Sequence, residues 1–209
     1  MFSKEEKEIY KNLNTPAKIQ DFLNSLKTNF EVNGETCFSP RIVLRNNASH
    51  CMEGALFAAA ALRFNGFEPL VLDLEANEKD YDHVVAIFRK NGCWGAISKT
   101  NHAVLRYREP IYRSVRELVM SFFHEYFIDN GKKTLRRYSL PVNLRRFDKK
   151  GWMVSEEEVW YIPEYLGKVK HFSILNRSQI SCLRNADVIE IEAGKIVVEK
   201  DPVKREVLG

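Results

Sequence analysis

The first part of the chain carries apolar residues at helical spacing, and its middle switches to short runs rich in β-branched residues between turn signals. Lys4 to Leu13 reads as a helix. Thr15 followed by Pro16 is a cap and first-turn pair opening a second helix through about Leu26, with Ile19, Phe22, Leu23 and Leu26 on one face. From Thr28 to His50 the periodicity fails. Asn33-Gly34, Ser39-Pro40 and Asn46-Asn47 mark turns there, so an irregular stretch is expected. Ser49 is then the expected cap of a helix running to roughly Phe64. Met52, Ala55, Leu56, Ala58, Ala59 and Leu62 make it apolar nearly all round, as in a helix buried against other elements. Asn65-Gly66 stops it.

Three strands follow, led by Pro69-Leu-Val-Leu-Asp-Leu, His83-Val-Val-Ala-Ile-Phe and Cys93-Trp-Gly-Ala-Ile-Ser, with Asn91-Gly92 as a tight hairpin turn between the last two. Ser114 to Phe127 repeats Val115, Leu118, Val119, Phe122, Phe123 and Phe127 at helical spacing, predicting an amphipathic helix. Ser155 with Glu158 resembles a capping box for a helix reaching about Leu166, Ser178 to Arg184 reads as a short helix, and 188–199 as a terminal hairpin. The order of elements predicts an α+β fold in which a buried, cysteine-bearing helix packs on an antiparallel sheet. Residues 1–130 form its core with the N-terminal helices, and 131–209 a small α+β extension packed on that core.

With 209 residues, 44% of them hydrophobic, the chain can bury a sizeable core, which excludes a disordered protein. The first seven residues lack the apolar core of a signal peptide, and the longest wholly apolar run, Ala55 to Leu62, cannot span a bilayer. A cytoplasmic protein without membrane contact is expected. Cys37, Cys51, Cys93 and Cys182 include no Cys-x-x-Cys pair, so free thiols are the expectation, and no spacing implies a metal or an organic cofactor. The formal charge of +4 is uneven: Gly131 to Lys150 holds eight Lys or Arg against one Asp, or +7, leaving −3 elsewhere. That block reads as a solvated surface. It lacks a recognised nucleic-acid motif and its aromatics, Tyr138 and Phe147, are sparse, so no nucleic-acid partner is expected.

Cys51 falls in the first turn of the buried helix, where unpaired backbone N–H groups and the helix dipole favour thiolate over thiol. A thiol nucleophile needs a base, and His83 opens a strand that can lie alongside the helix's amino end. Ser-His-Cys-Met-Glu-Gly-Ala-Leu-Phe-Ala-Ala-Ala-Ala-Leu-Arg-Phe-Asn-Gly-Phe, then Asp-His-Val-Val-Ala-Ile-Phe, then Gly-Cys-Trp-Gly-Ala-Ile-Ser resembles the core of the transglutaminase-like superfamily, which is related to papain. The likeness runs from about Arg41 to Asn101, roughly a third of the chain. It implies a cysteine helix, a histidine strand and a tryptophan-bearing strand whose aspartate orients the imidazole. Here Ser98 stands at the aspartate's place. Asn101 is the other candidate, since papain-like enzymes use an asparagine amide, whereas Asp82 points to the opposite strand face from His83.

His50 and His102 are alternative bases without the strand-opening placement, and Glu53 reads as a residue complementing the helix dipole or holding a loop. Arg41 and Arg45 are surface cations or ligands for a substrate carboxylate. Arg106, Tyr107, Arg108, Tyr112 and Arg113 either wall the cleft or pack at the core edge. An oxyanion hole would use the Cys51 N–H with a second donor such as Asn47. The expected activity is amide or peptide hydrolysis, or acyl transfer, through a Cys51 acyl-enzyme with His83 as general base and acid, acting on a peptide, a protein or a small amide. The alternative is a catalytically degenerate domain that binds a peptide or protein partner. No cofactor is expected in either case.

Overall fold

The computed structural model describes residues 1–202. Helices α1 (Lys4–Asn12) and α2 (Pro16–Ser25) stand where their patterns put them, capped by Ser3 and by Thr15 ahead of Pro16. A two-residue strand β1 (Lys27–Thr28), helix α3 (Pro40–Asn46) and strand β2 (Ala48–Ser49), parallel to β1, lead to helix α4 (Cys51–Phe64). Next come strands β3 (Leu70–Glu75), β4 (His83–Lys90), β5 (Cys93–Ile97) and β6 (Arg108–Tyr112), then helix α5 (Val115–Phe123). The rest comprises β7 (Arg137–Ser139), β8 (Val142–Asn143), a 3-10 turn over Leu144–Lys150, α6 (Tyr161–Leu166), β9 (His171–Ser173), α7 (Arg177–Ser181) and α8 (Val188–Gly194).

The sheet is antiparallel, ordered β6-β5-β4-β3-β7-β9, with β8 also on β3. Alternation along its strands divides two cores. Val71, Val84, Ala86 and Phe88 face α4 and the other N-terminal helices, while Leu72, Leu74, Val85 and Ile87 face α5. The architecture is thus α+β in three layers. Alanines 58 to 61 of α4 are wholly buried, and small side chains there let the helix lie close to β4. The sheet does not stop at residue 130: β7 and β8 extend it from β3, and Leu144, Trp152 and Ile162 join the α4-side core.

Several local expectations are corrected. The stretch 28–50 is not irregular throughout, because Ser39 and Pro40 act as the cap and first-turn pair of α3, with Ser39 Oγ accepting the Ile42 N–H at 3.3 Å. His50, not Ser49, caps α4. Helix α5 ends at Phe123, where Tyr126 turns its hydroxyl onto the Tyr81 carbonyl at 2.6 Å. Ser155 and Glu158 form no capping box: Glu158 accepts from the Cys37 N–H and the Trp160 indole, and α6 begins later, at Tyr161. The terminal hairpin is absent. Residues 188–194 form α8, whose cap is closed by Glu190 reaching back to the Asp187 N–H at 2.6 Å. Only 196–198 stay extended, paired antiparallel with 101–103. Among the described residues, no helix is long and apolar enough to cross a membrane.

Candidate active site

Cys51, His50 and His83 line one cavity of about 330 Å³ at the amino end of α4. Cys51 is the first residue of that helix, so its backbone N–H has no partner inside the helix. Burial alone would push its half-buried thiol up. The neighbouring His50 and His83 imidazoles outweigh this and bring the thiol down to about 5. Burial, with the nearby Glu53 and Glu158 carboxylates, pushes Cys37 in the opposite direction, to about 12.

Ser98 is the residue brought to His83. His83 Nε2 lies 2.8 Å from Ser98 Oγ, and that hydroxyl donates its one proton to the Leu105 carbonyl at 2.5 Å. The hydroxyl oxygen must therefore accept from an Nε2–H, which leaves the lone pair of the neutral ring on Nδ1. Ser98 is itself fixed by α2: Gln20 accepts the Ser98 N–H at 2.9 Å and donates to the Ser98 carbonyl at 2.8 Å. Next to it, the buried Lys99 ammonium donates to the Leu23 and Leu26 carbonyls at 3.1 and 2.6 Å, closing the C-terminal end of α2. The Lys99 stem crosses Gly54 so closely that a Cβ there would meet Lys99 Cβ at 2.4 Å. Glycine in the first turns of α4 is a requirement of that crossing.

Asn101 lies elsewhere. It lines the cavity but spends its amide on the C-terminal strap, accepting the Glu199 N–H at 2.9 Å and donating to the Glu199 carbonyl at 2.8 Å. Other ties of the strap include Ala103 N–H to Ile196 O, Val198 N–H to Asn101 O, the Thr28 N–H to the Glu199 carboxylate, and His102 Nδ1 to the Gly194 carbonyl. His102 is thereby a strap contact. Gly194 and Lys195 form part of the cavity wall.

The less expected neighbour is Glu53, which is wholly buried. Its carboxylate accepts from Asn29 Nδ2 at 3.0 Å, Thr36 Oγ1 at 2.8 Å, and the Phe38 and His50 N–H groups at 3.0 Å each. Burial opposes its charge, but His50 and these donors hold it below its ordinary value. The His50-x-x-Glu53 spacing is a capping-box signature and was the available signal for this contact.

Asn47 is the left-handed C-cap of α3, with φ 50°, and is not part of the cavity wall. Ser49 is: its hydroxyl is buried without a hydrogen-bond partner among the described residues. Arg41 pairs with Glu6 and Glu156, and Arg45 with Glu156. The Arg106–Arg113 cluster does not wall the cavity. Arg108 pairs with Glu125 over the Phe122 ring, and Tyr107 stacks on Phe88 at the sheet edge. Asp82 accepts the Ala76 N–H at 2.8 Å and is no partner of His83. In comparisons with known proteins, no family model matches the chain, and no curated protein matches it.

Proposed function

We propose that the protein is a transglutaminase-like thiol enzyme that hydrolyses amides or peptides, or transfers acyl groups, through a Cys51 acyl-enzyme. The observation that carries this reading is the shared cavity of a helix-terminal thiol, drawn down to about 5, and an imidazole held in one tautomer by Ser98. The Cys51 thiolate attacks the substrate carbonyl. The His83 imidazolium protonates the leaving amine, and the neutral ring then takes a proton from the incoming water or amine as the thioester resolves. The Cys51 N–H and the Ser49 hydroxyl are the donors available to the oxyanion. Ser98 replaces the aspartate of the resembled family as orienting partner, with the Leu105 carbonyl behind it. Free Cys37, Cys51, Cys93 and Cys182 suit a cytoplasmic setting.

A second reading, peptide binding without turnover, is favoured by the strap, because the cavity edge at 101–103 already accepts an extended segment. One experiment separates the two. p-Nitrophenyl acetate is added in stoichiometric amounts and Cys51 acetylation followed by peptide mass spectrometry. The enzyme reading requires Cys51 to acetylate ahead of Cys93 and Cys182 and then turn over, with the acetyl form accumulating in His83→Ala. Acetylation of Cys51 no faster than of those two thiols would leave only the binding reading.

A further inference from the structure

A second cavity, of about 240 Å³, opens beside the first. The turn after β3 and the chain entering β7 build it. The Asn77 N–H donates to the Thr134 carbonyl at 3.0 Å, the Lys79 N–H to Asn77 Oδ1 at 3.1 Å, and the Gly131 N–H to the Ile128 carbonyl at 2.7 Å. Lys79, Lys132, Lys133 and Arg136 line the cavity against a single acid, Glu78, so four cations less one carboxylate leave +3. Asp187, which acts on Lys133, is already paired with Arg184. Arg136 is half-buried. Its Nη1 donates to the Leu135 carbonyl at 3.0 Å, while among the described residues Nε and Nη2 have no hydrogen-bond partner and the guanidinium no ion-pair partner. A cation drawn partly out of water without a carboxylate carries an uncompensated cost, and burial holds this guanidinium below its ordinary value.

The two cavities share a wall. Ile128 lines both, and Thr134, on the second, donates its hydroxyl to the Asp80 carboxylate on the first. Their charges differ in sign. Asp80, Asp82 and Asp129 lie on the Cys51 side, together with Glu125, which is paired with Arg108. The lysines there are engaged: Lys99 donates to the Leu23 and Leu26 carbonyls, and Lys195 pairs with Glu192. A carboxylate on a bound molecule is therefore repelled from the first cavity and attracted to the second.

We propose that the second cavity holds an acidic side chain of a peptide substrate whose amide lies against Cys51. The inference rests on the reading of Cys51 as a nucleophile toward peptides and adds to it the charge of the substrate. Arg136 takes the carboxylate with its open Nε and Nη2 donors, and the three lysines surround the pair. Ile128, Ile180 and Leu183 form an apolar wall for the aliphatic stem. An extended peptide rises about 3.3 Å per residue, so a few residues bridge two cavities with a common wall.

Two series of short peptides test this on the full chain, one with a chloroacetyl group at the amino end and one with a chloromethyl ketone at the carboxyl end. Each carries Glu at one of the four positions nearest the reactive group, and alkylation of Cys51 is compared with that by the matching Gln peptide. The proposal expects one register at which Glu reacts about tenfold faster than Gln, the ratio that one charged hydrogen bond supplies, and expects Arg136→Gln to abolish that preference. If Arg136→Gln does not fold, Lys79→Gln combined with Lys132→Gln, both at exposed positions, carries the test, with the preference cut about threefold. Glu no faster than Gln in either series, or a preference that the folded variant leaves intact, overturns the assignment. The two readings fail separately. Binding of acetyl-Glu-Glu-Glu-amide, read from amide chemical shifts at 77–79 and 132–136, reports the cavity whether or not Cys51 reacts. Inorganic phosphate binding there as tightly as that peptide would make it a free-anion site and overturn the substrate role. p-Nitrophenyl acetate carries no carboxylate and reports Cys51 alone.

Discussion

Replacing Ser98 by Ala removes one oxygen and strands two groups. His83 Nε2–H loses its acceptor and the Leu105 carbonyl its donor, in a region where His83 is buried and Leu105 half-buried. An orphaned buried polar group costs about 1–3 kcal/mol. Leu105 can reach water, so the histidine side dominates and the expected loss is about 2 kcal/mol. For a chain of this length that lowers the melting temperature by about 4–8 °C. The imidazole also becomes free to turn. A misplacement of about 1 Å in a reacting group costs on the order of a hundredfold in rate, and deacylation of acetyl-Cys51 is expected to slow by that order. Thermal unfolding by circular dichroism and the decay of the acetyl adduct read the two effects. Ser98→Asp is not expected to improve on serine, because one carboxylate oxygen would face the Leu105 carbonyl that now accepts the hydroxyl proton. A melting temperature within about 1 °C of wild type, together with an unchanged deacylation rate, would refute the assignment of Ser98 as orienting partner.

Gly54→Ala should destabilise by about 1–3 kcal/mol in urea unfolding despite alanine's better helix propensity, since the new methyl meets Lys99 Cβ at 2.4 Å; a gain of about 1 kcal/mol would contradict that contact. Asn101→Ala should speed hydrogen exchange at the Val198 and Glu199 amides without changing the pH midpoint of Cys51 alkylation, because its amide holds the strap and not His83. Asp73, buried with one oxygen that has no hydrogen-bond partner among the described residues and facing His171, has its carboxyl pushed up from 3.8 to about 6, chiefly by burial. As pH rises from 3.8 to 6 the unfolded chain ionises first, so the wild type loses stability across that window while Asp73→Asn does not. The variant's stability relative to wild type should rise by about 2 kcal/mol between urea midpoints at pH 4 and pH 7.

The elements most legible in the sequence were those with a strong local signal. Thr15-Pro16 opened α2, the near-continuous apolar run of α4 announced a buried helix, and Asn91-Gly92 adopts positive φ at both residues between β4 and β5. Ser39-Pro40 carries the same cap logic as Thr15-Pro16, but its helix is only Pro40–Asn46, too short for a periodicity to show. The run 188–199 failed for a tertiary reason. Its β-branched residues favour a strand, but strands need a partner, and among the described residues of this run only 196–198 find one, at 101–103. The site was legible where chemistry sat in local sequence, at Cys51 and His83. The choice between Ser98 and Asn101 depended on contacts spanning 78 and 98 residues, to Gln20 and Glu199, which spacing does not reveal. For Glu53 the sequence leaves open a dipole complement or a group that holds a loop, and the second shows only when Asn29, Thr36 and Phe38 converge on the carboxylate.

The pH dependence of cysteine alkylation in the wild-type chain, read by peptide mass spectrometry, tests the central claim most directly and needs no substrate. The account predicts that Cys51 keeps its reactivity down to about pH 5 and there outruns the exposed Cys182 and the half-buried Cys93, whereas Cys37, buried with its thiol pushed to about 12, stays unreactive. A Cys51 profile that coincides with those of Cys93 and Cys182 would contradict it, for the thiol would then not be poised as a nucleophile.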